Sequence, residues 1–133
     1  MHIVPDTPSA LPLLPALEGR HLILGSASPR RQQLLSMLGL PFEVRPIGVK
    51  EVYPDTLQGP EIPRYLSELK ARGALASLAE NEILITSDTV VQLNGETLEK
   101  PADAQVAHGM LMKLSGQTHQ VVTAFCVVDG RRP

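Results

Sequence analysis

The 133-residue sequence balances 12 Lys and Arg against 14 Asp and Glu, for a formal net charge of −2, and is 43% hydrophobic and 20% charged. That composition fits one ordinary globular domain or part of one, lacks the basic excess of a general nucleic-acid binder, and has too few aromatics for single-strand stacking platforms. The lone cysteine, Cys126, excludes an internal disulfide and a cysteine-built zinc site; with no apolar run near the ~20 residues of a membrane span, a reducing cytoplasm is the simplest compartment.

Residues 1–19 form a proline-rich leader, poor in charge and broken by Pro5, Pro8, Pro12 and Pro15, which reads as loosely ordered and not as a signal peptide. Residues 20–133 read as the domain proper. His21–Gly25 is a short apolar strand. Ser28 is placed to cap a helix that Pro29 can open, because the missing proline N–H costs nothing at the first helical position. Leu34, Leu35 and Leu38 predict one buried helix face, and Gly39 a stop. Pro41–Pro46 reads as a second strand, followed by a loop holding Glu51. Pro63 can start a long helix that carries Leu66, Leu69 and Lys70.

Glu82–Leu93 is strongly strand-like, and Asn94-Gly95 is a hairpin signal because both positions tolerate positive φ. Asp103 caps a further helix with Ala107, Met110, Leu111 and Leu114 at helical spacing, ended by Gly116. His119–Val128 is a last strand, with Cys126 expected in its core, before the turn residues Asp129-Gly130. Strands alternating with helices imply an α/β sheet with crossover connections.

Two constellations carry chemistry. After the first strand comes Ser26-Ala-Ser-Pro-Arg-Arg31. A helix N-terminus presents free N–H groups and a partial positive charge, which suits an anion. Arg30 and Arg31 stand in that first turn, where the helix dipole disfavours cations. A polyphosphate would account for them, since arginine can contact phosphate through two N–H groups; two solvated arginines on a capped helix are the alternative. The segment is not a P-loop. The second constellation is Ser87-Asp88-Thr89 with Glu99-Lys100-Pro101. Asp88 interrupts an apolar strand, where a carboxylate needs partners, and is a candidate metal ligand or general base; a turn or bulge aspartate is the alternative. Beyond the hairpin, Lys100 could return towards Asp88, or stay solvated. Glu51, Lys70 and His119 carry no chemistry that their residue types alone can establish.

Gly25–Arg31, Leu66–Ala71, Ser87–Val91, Gly95–Pro101 and Leu114–Thr123, in this order and spacing, resemble the Maf-like nucleoside triphosphate pyrophosphatases, in particular their dTTP/UTP branch. The resemblance runs from about Leu22 to Val128. It implies a mixed, twisted α/β sheet flanked by helices, Maf/ITPase-like, of which residues 20–133 would be the N-terminal two-thirds and the C-terminal part is missing. It also implies hydrolysis of a nucleoside triphosphate to the monophosphate and pyrophosphate, with Mg²⁺ or Mn²⁺.

On that resemblance Arg30 and Arg31, with Ser26 and Ser28, contact substrate. Asp88 is the proton acceptor. Glu51, Lys70 and Lys100 surround the polyphosphate, with Glu51 and Asp88 on the metal. Thr89 falls at a specificity position, where the branch acting on 7-methyl-GTP has Gln. Ser67 and Ala124 depart mildly from the usual pattern. A homodimer fits the resemblance; nucleic-acid and membrane partners do not. The rival reading is a nucleotide-binding regulatory protein linked to septum formation, without turnover.

Overall fold

A computed structural model describes residues 2–4, 15–98 and 102–131. In chain order the elements are β1 (His2–Val4), β2 (His21–Leu24), α1 (Pro29–Ser36), β3 (Phe42–Val44), α2 (Glu61–Ala74), β4 (Glu82–Leu93), β5 (Glu96–Leu98), α3 (Ala104–Leu114) and β6 (Gln120–Asp129). Short 3₁₀ turns occupy Pro15–Leu17 and Leu75–Ser77. No helix among the described residues is long and apolar enough to cross a membrane.

The strands form one mixed sheet in the order β1-β3-β2-β4, with β6 along one edge of β4 and β5 at the far end of the other. β2 runs parallel to both β3 and β4, while β1, β5 and β6 are antiparallel to their neighbours. α1 links β2 to β3 on one side and α2 leads from β3 back past β2 to β4. Crossovers of one hand that step in opposite directions put their helices on opposite faces, and the packing follows. On one face Leu22, Leu24, Phe42 and Val44 form a core against Leu35 of α1. On the other, Ile23 and Leu84 pack with Ala74 and Leu78, and Val90 packs with Ile62 and Leu66 of α2.

Local chemistry sets several boundaries. Ser28 Oγ accepts from Arg31 N at 3.3 Å and caps α1 ahead of Pro29; Asp103 accepts from Val106 N and caps α3. Asn94 and Gly95 have φ of 50° and 81° and close the β4–β5 hairpin. α2 begins at Glu61, so Pro63 lies inside its first turn, where the N–H that proline lacks would have had no intrahelical acceptor.

Four expectations change. His2–Val4, within the leader, forms a strand on β3: these residues precede Pro5 and keep the N–H donors that a ladder requires. Asp88 does not break its strand, because β4 runs unbroken through it, paired with Ala124 on β6. The α1 stripe expected to form a buried face contributes no buried residue: Leu35 is partly buried against the core and Leu34 is 54% exposed. A stripe is buried only where a partner surface meets it, and spacing does not supply the partner. Cys126, expected in the core, is partly exposed and free.

The bottom of the sheet is closed by Arg20, whose guanidinium pairs with Asp129 and donates to the carbonyls of Glu80, Asn81 and Glu82. Beside it, Gly130 N donates to Glu82 O at 2.8 Å. A Cβ on Gly130 would lie 1.8 Å from the Ala79 carbonyl oxygen, which is backbone and cannot swing aside. Gly130→Ala is therefore expected to cost about 2 kcal/mol, read as a fall of several degrees in Tm.

Candidate functional site

β2 stops pairing with β4 at Ile85, and the pairing of β4 with β5 begins at Val91. Between them the edge of β4 lies open over residues 86–90, while β6 covers the opposite edge. A carbonyl on an unpaired edge needs a donor. The Ser87 carbonyl has two: Arg31 Nη1 at 3.0 Å, from α1, and Lys70 Nζ at 3.0 Å, from α2. This notch lies beyond the carboxyl end of β2, where ligand sites gather in open α/β sheets. Two cations from helices on opposite faces of the sheet meet there on one peptide oxygen.

Lys70 also ties together two carboxylates. Its Nζ is 2.8 Å from Glu51 Oε1 and 3.2 Å from Asp88 Oδ1. The Lys70 side chain is only 13% exposed, which removes it from the class of solvated surface lysines. Asp88 projects from the α2 face of β4. Its Oδ1 takes the lysine, and its Oδ2 is buried with no hydrogen-bond partner among the described residues. Burial pushes the Asp88 carboxyl above its usual range, and the nearby Lys70 offsets only part of that rise. A buried carboxylate oxygen left unpaired is costly, and it fits a bound water or a hard cation that takes oxygen ligands.

Arg31, Glu51, Lys70, Asp88 and Thr89 line one cavity of about 380 Å³, together with Tyr53, Ile62, Leu66, Val90, Thr97 and Leu98. A second, open cavity of about 780 Å³ lies between α1 and the same face of β4 and β6. Its lining includes Ser28, Arg30, Arg31, Thr89, Thr123 and Phe125. Arg31 and Thr89 belong to both, so they form the wall between the two. Of the residues singled out from sequence, Arg31, Glu51, Lys70, Asp88 and Thr89 thus converge. Ser28 and Arg30 face the neighbouring cavity. Ser26 Oγ accepts from Ser28 N at 3.1 Å and shapes the turn that presents them. Lys100 lies outside the described residues. His119 lines neither cavity.

Sequence reasoning missed Tyr53, Thr97 and Thr123. Tyr53 follows Glu51 by two positions in a loop without period, and Thr97 sits across a hairpin from Gln92, to which it is hydrogen-bonded. Only the register of β4 on β6, which sets Thr89 opposite Thr123, could have pointed to the last.

A different carboxylate cluster lies at the other end of β4. His21, Glu43 and Glu82 bring their ligand atoms within 4.8 Å of one another. It reads poorly as a metal centre, because Arg45 already fills it: Nε is 2.7 Å from Glu43 Oε2 and Nη2 is 2.8 Å from Glu82 Oε2, with His21 Nε2 2.8 Å from Glu43 Oε1. Burial would raise the Glu43 carboxyl, but the hydrogen bonds from Arg45 and His21 outweigh it and hold it below its ordinary value. The Arg45 hydrogen bond likewise holds Glu82 down.

The family profile described as "Maf-like protein" matches residues 21–133. A dTTP/UTP pyrophosphatase of Flavobacterium psychrophilum is 50% identical over 109 residues, covering 82% of this chain and 56% of that protein. The dTTP/UTP pyrophosphatase of Phocaeicola vulgatus is 46% identical over 116 residues, covering 86% and 60%, and that of Escherichia coli O157:H7 is 46% identical over 110 residues, covering 83% and 56%. The chain spans less than two-thirds of the length of these relatives. With the mixed sheet and its two crossover helices placed as above, and a profile match across 113 of its residues from 21 to 133, the chain belongs to the Maf-like family.

Proposed function

We propose that this chain hydrolyses nucleoside triphosphates, dTTP and UTP foremost, to the monophosphate and pyrophosphate in the cytoplasm. The single observation that carries the proposal is the lysine-bridged pair Glu51–Lys70–Asp88, with an Asp88 oxygen unpartnered among the described residues, in a cavity that Arg31 also enters. The names of the relatives give the substrate class.

Arg31, with Arg30 and the N–H groups at the start of α1, binds the triphosphate and orients it. Asp88 and Glu51 are the residues that would hold a divalent cation. Mg²⁺ or Mn²⁺ there supplies charge neutralisation at the phosphate oxygens. Asp88 takes the proton of the attacking water; its raised carboxyl pKa makes it a better base than an ordinary aspartate. The water oxygen bonds to the α-phosphorus, the bond from that phosphorus to the bridging oxygen breaks, and the electron pair leaves with pyrophosphate. Lys70, and Lys100 from beyond the hairpin, offset the charge that develops on the leaving group. Ser26 and Ser28 hold the turn at the anion end, and Thr89 borders the base-selecting region.

The test is pyrophosphate release with Mg²⁺ or Mn²⁺ from dTTP, UTP, CTP, GTP and 7-methyl-GTP. Turnover of dTTP and UTP at least tenfold above the purines is the expected result. A nucleotide-dependent rise in Tm without release from any of the five would replace this reading with a binding protein that does not turn over.

A further inference from the structure

We infer that Thr123 of β6 is a positioning residue that sets the guanidinium of Arg31 for the polyphosphate, acting through the Thr89 hydroxyl. The inference rests on the proposed reading of this site as one that holds a nucleoside triphosphate.

Arg31 is fixed at two points. Nη1 donates to the Ser87 carbonyl at 3.0 Å, and Nη2 donates to Thr89 Oγ1 at 3.2 Å. The first is backbone and cannot turn. The second is a hydroxyl, which rotates unless something holds it. Thr123 Oγ1 lies 3.0 Å from Thr89 Oγ1. An oxygen that accepts from a cation is the better donor of a hydroxyl pair, because hydrogen bonds in series polarise one another. The chain therefore runs from Arg31 to Thr89 to Thr123, and the last hydroxyl keeps the second locked as an acceptor. The pairing is set by register, since Thr89 and Thr123 are direct cross-strand partners on the α1 face of the sheet.

The direction of the restraint matters. Two acceptors on the terminal nitrogens aim the plane of the guanidinium, and a planar fork contacts phosphate well only in the right plane. Thr123 lines the cavity on one side of Arg31, and Asp88 and Lys70 line the cavity on the other. The strand that closes the sheet thus reaches the reacting end of the site through a single hydroxyl relay.

The test is a mutant cycle read on the Kd for inorganic tripolyphosphate, with kcat and KM for dTTP measured alongside. Thr123→Val keeps shape and strand propensity and removes the hydroxyl. It is expected to weaken tripolyphosphate about fivefold, the scale of one neutral hydrogen bond, and to raise KM by the same factor with kcat within twofold. Thr123→Ser restores the hydroxyl and should recover affinity to within about twofold. Thr89→Val should weaken binding about tenfold, and Thr89→Val/Thr123→Val no further than that. Equal defects in Thr123→Ser and Thr123→Val, independent effects in the double variant, an unchanged Kd in Thr123→Val, or a wild-type chain that does not bind tripolyphosphate would each overturn the inference. Since binding needs no turnover, the expected pattern in Kd without nucleotide hydrolysis by the wild type would support Thr123 and remove the pyrophosphatase reading instead.

Discussion

Asp88→Asn is expected to lower turnover of dTTP about a thousandfold, the usual scale for removing a general base, and to leave the fold at least as stable as before. The two halves of that expectation have one cause. The carboxyl is raised above its usual range by burial, against the pull of Lys70, so the folded protein prefers it protonated relative to the unfolded chain. Such a group favours folding below its unfolded value, and that contribution is lost as pH rises through the folded one. At neutral pH the ionised Asp88 is a burden on the fold, and the amide of asparagine removes it. A loss of turnover with Tm unchanged or higher is the result expected from a steady-state assay paired with a thermal melt. Turnover close to wild type in the variant would sink the assignment of Asp88 as proton acceptor.

The second large effect is structural and lies at the other end of the sheet. Arg45→Ala is expected to cost about 3–5 kcal/mol at neutral pH, the range for removing one partner of a buried ion cluster. Glu43 is 2% exposed and Glu82 7% exposed; without the guanidinium, these two buried carboxylates, on the strands β3 and β4 that flank β2, keep only His21 of β2 between them. Both are held below their ordinary value in the intact protein. Their contribution is therefore complete above the unfolded glutamate value and is lost as pH falls below it, through the folded values. Wild-type stability should decline in that acidic window. Arg45→Ala should be most damaging at neutral pH and converge towards wild type in acid, where the carboxylates protonate. Denaturant midpoints measured from roughly pH 3 to pH 7 would show this; a penalty constant with pH would mean that Arg45 acts by packing alone. Glu43→Gln in the Arg45→Ala background should recover part of the loss.

Neither cluster was visible in the sequence to the same degree. β4 was legible to its last residue, because β-branched and apolar residues run from Glu82 to the Asn94-Gly95 turn. Ser28-Pro29 and Asp103 marked helix starts because capping is local chemistry. Asp88 was legible as a carboxylate needing partners, though its strand stayed whole: Lys70 reaches it from α2, and only tertiary packing decides that. Arg45 gave no signal at all. Its partners are one strand residue two positions away and another 37 positions away, and strand order alone brings them together. The stripe on α1 was read correctly as apolar but expected to be buried, and only Leu35 of it packs on the core, since spacing describes one surface and burial needs two.

The register that builds the notch also sets a schedule for folding. β2 pairs with β3 some twenty residues downstream, but its other edge waits for Glu82–Ile85, and β4 in turn waits for Gln120–Asp129. Such non-local ladders form slowly, because the loop entropy is lost before the contacts are gained. On a ribosome adding roughly 5–20 residues per second, the Leu22-Ile23-Leu24 triplet spends several seconds with one edge unclaimed. During synthesis that bare edge is open to neighbouring nascent chains, and the finished sheet hides it.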